Sequence, residues 1–484
     1  MNKASEMAGA GTAPGELARL SATQMLDGYR SRRFDPVDVI EDTIAALKGV
    51  NEACNVMVTD LFETARAAAE QSAKAYRAGD AVGPMEGVPV TIKDLVFVAG
   101  APAKGGAPSY ANFVPQVDGE VVRRLKAAGA IPTCKTTTCE SGYKLTADSP
   151  VSGITRNPWN IERTSGGSSG GAAAAMAAGA GPIAIGTDGV GSIRVPSSFC
   201  GVFGLKPTFG LVSRAPGFFP PSWGSLAHTG PITNSVADAA LTLKTIAGHD
   251  WRDAASLNQV LPDYEAVGLT RPLKIAVSSD FGYAAVNPEV AAAFAGAAAA
   301  LVAESGEGAD ATIALDPDLL AKVLRPIAFI EQASSVGSRA DGDFAASDAD
   351  FRDVIAEGRK FSGVDYMAAT HLRSKLRGQF VELFAKADLL LTPTVAVTAF
   401  AAGTLGVGEI DGRVVDAHLG WSPFTWPINL VGLPAASVPC GFDSAGLPIG
   451  LQIIAPWGRE DLVLSVAAAL ERIRPWAGIR PLSV

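Results

Sequence analysis

The chain has 484 residues, 48% of them hydrophobic and 18% charged, so it can bury a large core without disulfide or metal staples. A net charge of -9 and the lack of a dense Lys/Arg stripe exclude a nucleic-acid footprint. Cys54, Cys134, Cys139, Cys200 and Cys440 are widely spaced with no C-x-x-C pair, which argues against a zinc ribbon or disulfide framework and predicts buried reduced thiols.

Residues 1–15 are small and polar and read as a flexible tail without a signal-peptide apolar stretch. Residues 16–80 read as a helical arm. In it, Ser21-Ala-Thr-Gln24 has the form of a capping box. Asp35-Pro36 supplies an N-cap and a first-turn proline to a helix with Ile40, Ile44 and Leu47 on one stripe. An alanine-rich helix is predicted from Leu61 to about Arg77. From Gly87 the texture changes to short apolar runs between Gly/Pro turns. Strands are predicted where Val88, Val90 and Ile92 alternate, at Ala130-Ile131-Pro132, and at Ile183-Ala184-Ile185. Helices are predicted near Glu120–Ala128, Gly171–Ala180, Val236–Ile246 and Pro288–Ala303, and this alternation indicates α/β layering. Residues from about 310 to 385 are helical in pattern and more charged, and read as a variable cap over the site. Ile410-Asp411-Gly412-Arg413-Val414 predicts a type I′ hairpin. The chain closes with a strand at Leu451–Ile454 and a helix near Asp461–Arg472 that turns Leu462, Val466 and Leu470 inward. Gly179 and Gly181 break the apolar stretch after Gly171, so no membrane span is expected and the predicted address is cytoplasmic.

Three segments carry candidate chemistry: Gly87-Val-Pro-Val-Thr-Ile-Lys93-Asp94, Thr164-Ser-Gly-Gly-Ser168-Ser169-Gly-Gly171, and Gly186-Thr-Asp188-Gly-Val-Gly-Ser192-Ile-Arg194-Val-Pro196. Taken singly, they read as a solvated lysine at a strand end, a flexible turn and a second turn. The glycine-rich run lacks the G-K-[ST] ending of a phosphate cradle, and no H-E-x-x-H or comparable metal-ligand cluster occurs. Together and in this order they resemble the amidase signature family. The resemblance extends to Thr155-Arg-Asn-Pro-Trp159, Gly201-Val-Phe-Gly-Leu-Lys-Pro207, Asn234-Ser-Val-Ala-Asp238 and Leu390-Leu-Thr-Pro-Thr394. It continues through Phe424-Thr-Trp-Pro-Ile-Asn-Leu430, Gly432-Leu-Pro434 and Gly446-Leu-Pro-Ile-Gly-Leu-Gln452.

The resemblance implies one large α/β catalytic domain over 81–484, with a mixed, twisted sheet sandwiched by helices. It implies a Ser–cis-Ser–Lys triad with Ser192 as nucleophile, Ser168 as bridging serine and Lys93 as base. No cofactor or metal is expected; the partner is a small-molecule substrate, and a homodimer is compatible with the family. The chemistry is self-consistent. A serine hydroxyl needs a base within hydrogen-bond reach, and a lysine can serve only once burial brings its pKa from about 10.4 to roughly 7–8.5. Backbone N–H groups of Gly189, Val190, Gly191 and Ser192 are the candidate oxyanion donors. Ser169 is assigned to the relay's surroundings, and Asp188 and Arg194 to bracing the turn as an ion pair.

Two positions depart from the family pattern. Val190 stands where the family usually has Gly, which would strain the turn if a positive φ were required. Ala227 stands where the family often carries an acid. The aromatic run Pro216-Gly-Phe218-Phe219-Pro-Pro-Ser-Trp223 reads equally as a packed loop or as an apolar pocket wall, with Gly142 and Tyr143 as further pocket candidates. These features point to amides or carbamates (urethanes) with an apolar or aryl substituent. Two rivals remain: a glutamine-hydrolysing amidotransferase subunit of the same family, and an α/β-hydrolase esterase using Ser168 in Gly166-x-Ser168-x-Gly170. The esterase needs a hydrophobic strand before the serine, where this chain has the polar Asn160-Ile-Glu-Arg-Thr164.

Overall fold

A computed structural model describes residues 15–218, 224–265, 267–269, 271–336 and 344–481. Of the expected tail only Gly15 is among them, and its N–H donates to the Asp42 carboxylate at 2.5 Å. The arm begins as its sequence dictates. Ser21 and Gln24 close a capping box on helix Ala22–Arg30, and Asp35 caps helix Pro36–Cys54 with Pro36 in the first turn. Helix Phe62–Ala78 follows.

Eleven strands, numbered here in chain order, form one mixed sheet. They are β1 Met57–Asp60, β2 Pro89–Lys93, β3 Ile131–Thr136, β4 Ile183–Asp188, β5 Phe203–Lys206 and β6 His228–Thr233, then β7 Leu273–Val277, β8 Gly306–Gly308, β9 Leu389–Pro393, β10 Ala435–Phe442 and β11 Pro448–Ile454. Their spatial order is β1-β3-β2-β4-β6-β5-β10-β11-β9-β7-β8. β2 runs parallel to β3 and β4, while β4, β6, β5, β10, β11 and β9 are successively antiparallel.

Successive strand residues face opposite sides, and both sides are covered. Ile183, Ile185, Leu389 and Leu391 join the core built with helices Glu120–Ala127, Val236–Ile246, Pro288–Ser305 and Glu460–Ile473. Ala184 packs with the helices Pro36–Cys54, Phe62–Ala78 and Gly170–Ala177. Leu390 and Ile454 pack with Pro317–Val336 and Gly363–Phe384. β2 is therefore buried at all five positions, not only at Val90 and Ile92.

The expected type I′ hairpin forms, with Asp411 and Gly412 at φ 48° and 74° between two short strands. Asn160–Thr164 does form a strand, but in a two-stranded ribbon with Arg156–Asn157 and mostly exposed, outside the central sheet. All five cysteines are free and buried. Among the described residues no helix is long and apolar enough to cross a membrane. Lys93 ends β2 and Asp188 ends its parallel neighbour β4, so both stand at the same edge of the sheet.

Candidate active site

The glycine-rich segment 164–171 brings Ser168 and Ser169 to the end of β2, and helix Gly170–Ala177 starts directly after them. The Gly167–Ser168 peptide bond is cis. Gly142 stands beside Ser168 at φ +70°, a conformation that favours glycine, and a Cβ there would crowd Leu95 Cδ1 at 2.9 Å. Lys93 is fully buried. Its Nζ lies 2.7 Å from Ser168 Oγ, 2.9 Å from Ser169 Oγ and 2.8 Å from Thr187 Oγ1. Ser169 in turn accepts from the Thr187 N–H at 3.2 Å and donates to its carbonyl at 3.1 Å.

No carboxylate touches Lys93. Burial pushes its pKa down from 10.5 to about 7, against a smaller opposing pull from Cys139 and Asp188. The other buried lysines are differently engaged. Lys135 pairs with Asp94 at 3.0 Å, Lys144 with Asp148 and Asp348, and Lys206 donates to the Pro207 and Leu433 carbonyls.

Ser192 Oγ is buried and has no hydrogen-bond partner among the described residues. Its carbonyl accepts from the Ser169 N–H at 3.1 Å, and both Ser168 and Ser192 line one cleft. The structure thus brings together Lys93, Ser168, Ser169 and the Ser192 backbone, but leaves the Ser168–Ser192 hydroxyl link open.

The turn after β4 is held by charge. Asp188 and Arg194 are both fully buried, with Nη2–Oδ1 and Nε–Oδ2 each 2.9 Å apart. Burial disfavours the Asp188 carboxylate, yet the Arg194 guanidinium keeps it well below the usual range. Asp188 also accepts from the Gly191 N–H at 2.8 Å and the Ile193 N–H at 3.2 Å. This corrects the oxyanion set: the Gly191 N–H is spent on Asp188. Among the described residues, the N–H groups of Gly189, Val190 and Ser192 have no acceptor. Val190 does not take a positive φ; Gly191 does, at 135°, where a Cβ would sit 2.5 Å from Thr425 Oγ1. The strain anticipated for valine is therefore absent.

Residues not singled out in the sequence complete the site. Thr187 shares Lys93; Thr425 donates to the Val190 carbonyl at 2.7 Å. Arg194 donates to Gln452 Oε1 at 2.7 Å and to Asn429 Oδ1 at 2.5 Å, while the Asn429 amide donates to Asp188 Oδ1 at 2.8 Å. The available signal was an amide inside an otherwise apolar stretch, Trp426–Val431 for Asn429 and Pro448–Ile454 for Gln452, since a buried amide requires partners.

The cleft has Leu95, Val96, Pro216 and Phe218 in its apolar lining, together with Ser168 and Ser192. Phe218 packs against Phe97, Tyr110 and Phe113 at ring-centroid distances of 5.0, 4.9 and 5.7 Å. Phe219 and Trp223 lie outside the described residues. Gly142 lines this cleft as expected, but Tyr143 does not: it packs on Phe351 at 5.1 Å and faces a second cavity. A buried lysine bonded to a serine beside a second, unpartnered serine can activate a hydroxyl for attack on a carbonyl.

An Amidase family model matches residues 38–464. The chain is 36% identical over 467 residues to an acylamidase of Rhodococcus erythropolis, across 96% of this chain and 97% of that one. It is 37% identical over 491 residues to a glutamyl-tRNA(Gln) amidotransferase subunit from Synechococcus sp. (strain RCC307), across 94% and 97%. The solved structure of a bacterial aryl acylamidase of the amidase signature family superposes with a TM-score of 0.86 at 29% identity, covering 95% of this chain and 97% of that chain.

Proposed function

The chain belongs to the amidase signature family, and on that premise we propose that it is a serine hydrolase cleaving amides or carbamates that carry an apolar or aryl group. The observation that carries the reading is Lys93, buried without a carboxylate partner and hydrogen-bonded to Ser168. Neutral Lys93 takes the Ser168 proton, Ser168 takes that of Ser192, and Ser192 attacks the scissile carbonyl. The free N–H groups of Gly189, Val190 and Ser192 receive the oxyanion. The proton returns along the relay to the leaving amine, and water repeats the cycle on the Ser192 acyl-enzyme. Substrate entry closes the Ser168–Ser192 link, as catalytic hydrogen bonds often tighten only in the complex. The aromatic group around Phe218 supports an aryl or apolar substituent.

A second reading is favoured by the amidotransferase relative. Against it, glutamine carries an ammonium, and Ala227 lines the cleft where the family often has an acid. The cleft's Glu120 is committed to Arg123, Arg124 and Arg252. Incubating the purified chain with matched aryl amides, aryl carbamates and glutamine separates the readings. Release of arylamine by the chain alone supports a free-standing hydrolase. Turnover of glutamine only, or a fluorophosphonate adduct on Ser168 rather than Ser192, would overturn it.

A further inference from the structure

A second cavity shares Gly142 and Gly189 with the aromatic cleft as a common wall. Helix Pro317–Val336 contributes Phe329, Glu331 and Gln332 to it, and Tyr143, Val190 and His418 also line it. Two buried polar atoms in this lining, Gln332 Oε1 and His418 Nε2, have no hydrogen-bond partner among the described residues, and the Tyr143 hydroxyl meets only Asp348. A buried polar group left unpaired is costly, so two around one cavity beside the nucleophile turn mark a place for a hydrogen-bonding ligand. The relay uses none of them.

The charges around the cavity are already committed. Glu331 Oε1 accepts from the Ser225 N–H at 3.1 Å, Ser225 Oγ at 3.0 Å and Tyr366 at 3.0 Å. Lys144, beside Tyr143, is held by Asp148 at 2.5 Å and Asp348 at 2.7 Å. Burial lowers the His418 pKa, which favours the neutral ring. A charged ligand would be desolvated here without a countercharge, whereas a carboxamide brings both a donor and an acceptor. Val190 and Phe329 offer apolar surface to the methylenes that would link such a group to the scissile carbonyl.

We infer that this cavity is a second substrate subsite that takes a neutral carboxamide-like substituent on the side of the scissile carbonyl opposite the apolar group. The inference rests on the hydrolase reading above. It is tested with p-nitroanilides of succinamic, 4-methylpentanoic, succinic and 4-aminobutyric acids, which place a carboxamide, its apolar isostere, a carboxylate or an ammonium at one position. A reverse series carries the same groups on the amine side of a phenylacetyl amide. In one series the carboxamide should exceed the isostere by about tenfold in kcat/KM, mainly through KM. Gln332→Leu and Tyr143→Phe should each reduce that ratio to within about threefold of unity. Gln332→Glu, which keeps the side-chain shape, should move the preference toward the ammonium. Fluorophosphonate titration normalises each variant to its folded, reactive fraction. A carboxylate or ammonium preference in the wild type, no carboxamide preference in either series, or a ratio untouched by all three variants would overturn the subsite alone. Failure of the wild type to cleave any member would remove the hydrolase reading, and the subsite with it.

Discussion

A lysine ammonium donates three hydrogen bonds and accepts none, whereas the neutral amine has one lone pair for a proton. Lys93 lies within hydrogen-bond reach of three hydroxyls and no carboxylate, so the pull of Asp188 and Cys139 on its charged form is smaller than the cost of burying it. Arginine preserves the charge but does not deprotonate in this range. Lys93→Arg should therefore lose about 10³-fold or more in kcat/KM, as much as Lys93→Ala, measured on an aryl amide and normalised to folded protein. Substantial activity in the arginine variant would recast Lys93 as a fixed positive charge. Lys93, Ser168 and Ser192 stood out as candidates only because three segments that are bland one by one occur together in the order that resembles the family. Asn429 did not: its partner Asp188 is 241 residues away, and no local pattern announces that pairing.

The turn after β4 behaves as one element because Asp188 engages the Gly191 and Ile193 N–H groups and the Arg194 side chain together. Sequence pattern pointed to the Asp188–Arg194 pair, but not to Gly191's withdrawal from the oxyanion set, which depends on where the Asp188 oxygens point. Asp188→Asn leaves the Arg194 cation uncompensated and fully buried. It should destabilise the fold by on the order of 3 kcal/mol, read from urea unfolding midpoints, and should also lower kcat. Unchanged stability would mean that Asn429 and Gln452 suffice to hold Arg194. In the aromatic wall, Phe218→Ala should raise KM for aryl substrates more than for short aliphatic amides, because it removes apolar contact area. Equal effects on both classes would assign Phe218 to packing with Phe97, Tyr110 and Phe113.

At the scale of the molecule, α/β layering was legible from alternating strand and helix patterns, as were most helix positions. The strand order was not, since neighbours such as β5 and β10 are joined by long-range pairing rather than a local turn. Nor is the 16–80 arm an appendage. Met25 and Tyr29 enter the core with Val90 and Ile185, and Ile40, Ile44 and Phe62 enter the one holding Ala184. Removing residues 1–80 should therefore abolish cooperative thermal unfolding and soluble expression. A soluble remainder with a sharp transition would show that 81–484 folds alone.

The central claim is that Lys93 acts as a neutral base, and the pH dependence of kcat/KM on a neutral aryl amide tests it most directly. Below the lysine pKa the amine is protonated and cannot accept the Ser168 proton. The rate should therefore rise about tenfold per pH unit up to about 7 and level off above it. The limb should lie far below the ordinary lysine value of 10.5 because burial, the dominant cause, disfavours the charged form. A rate that is flat from pH 5 to 9, or that falls as pH rises through 7, would contradict the account.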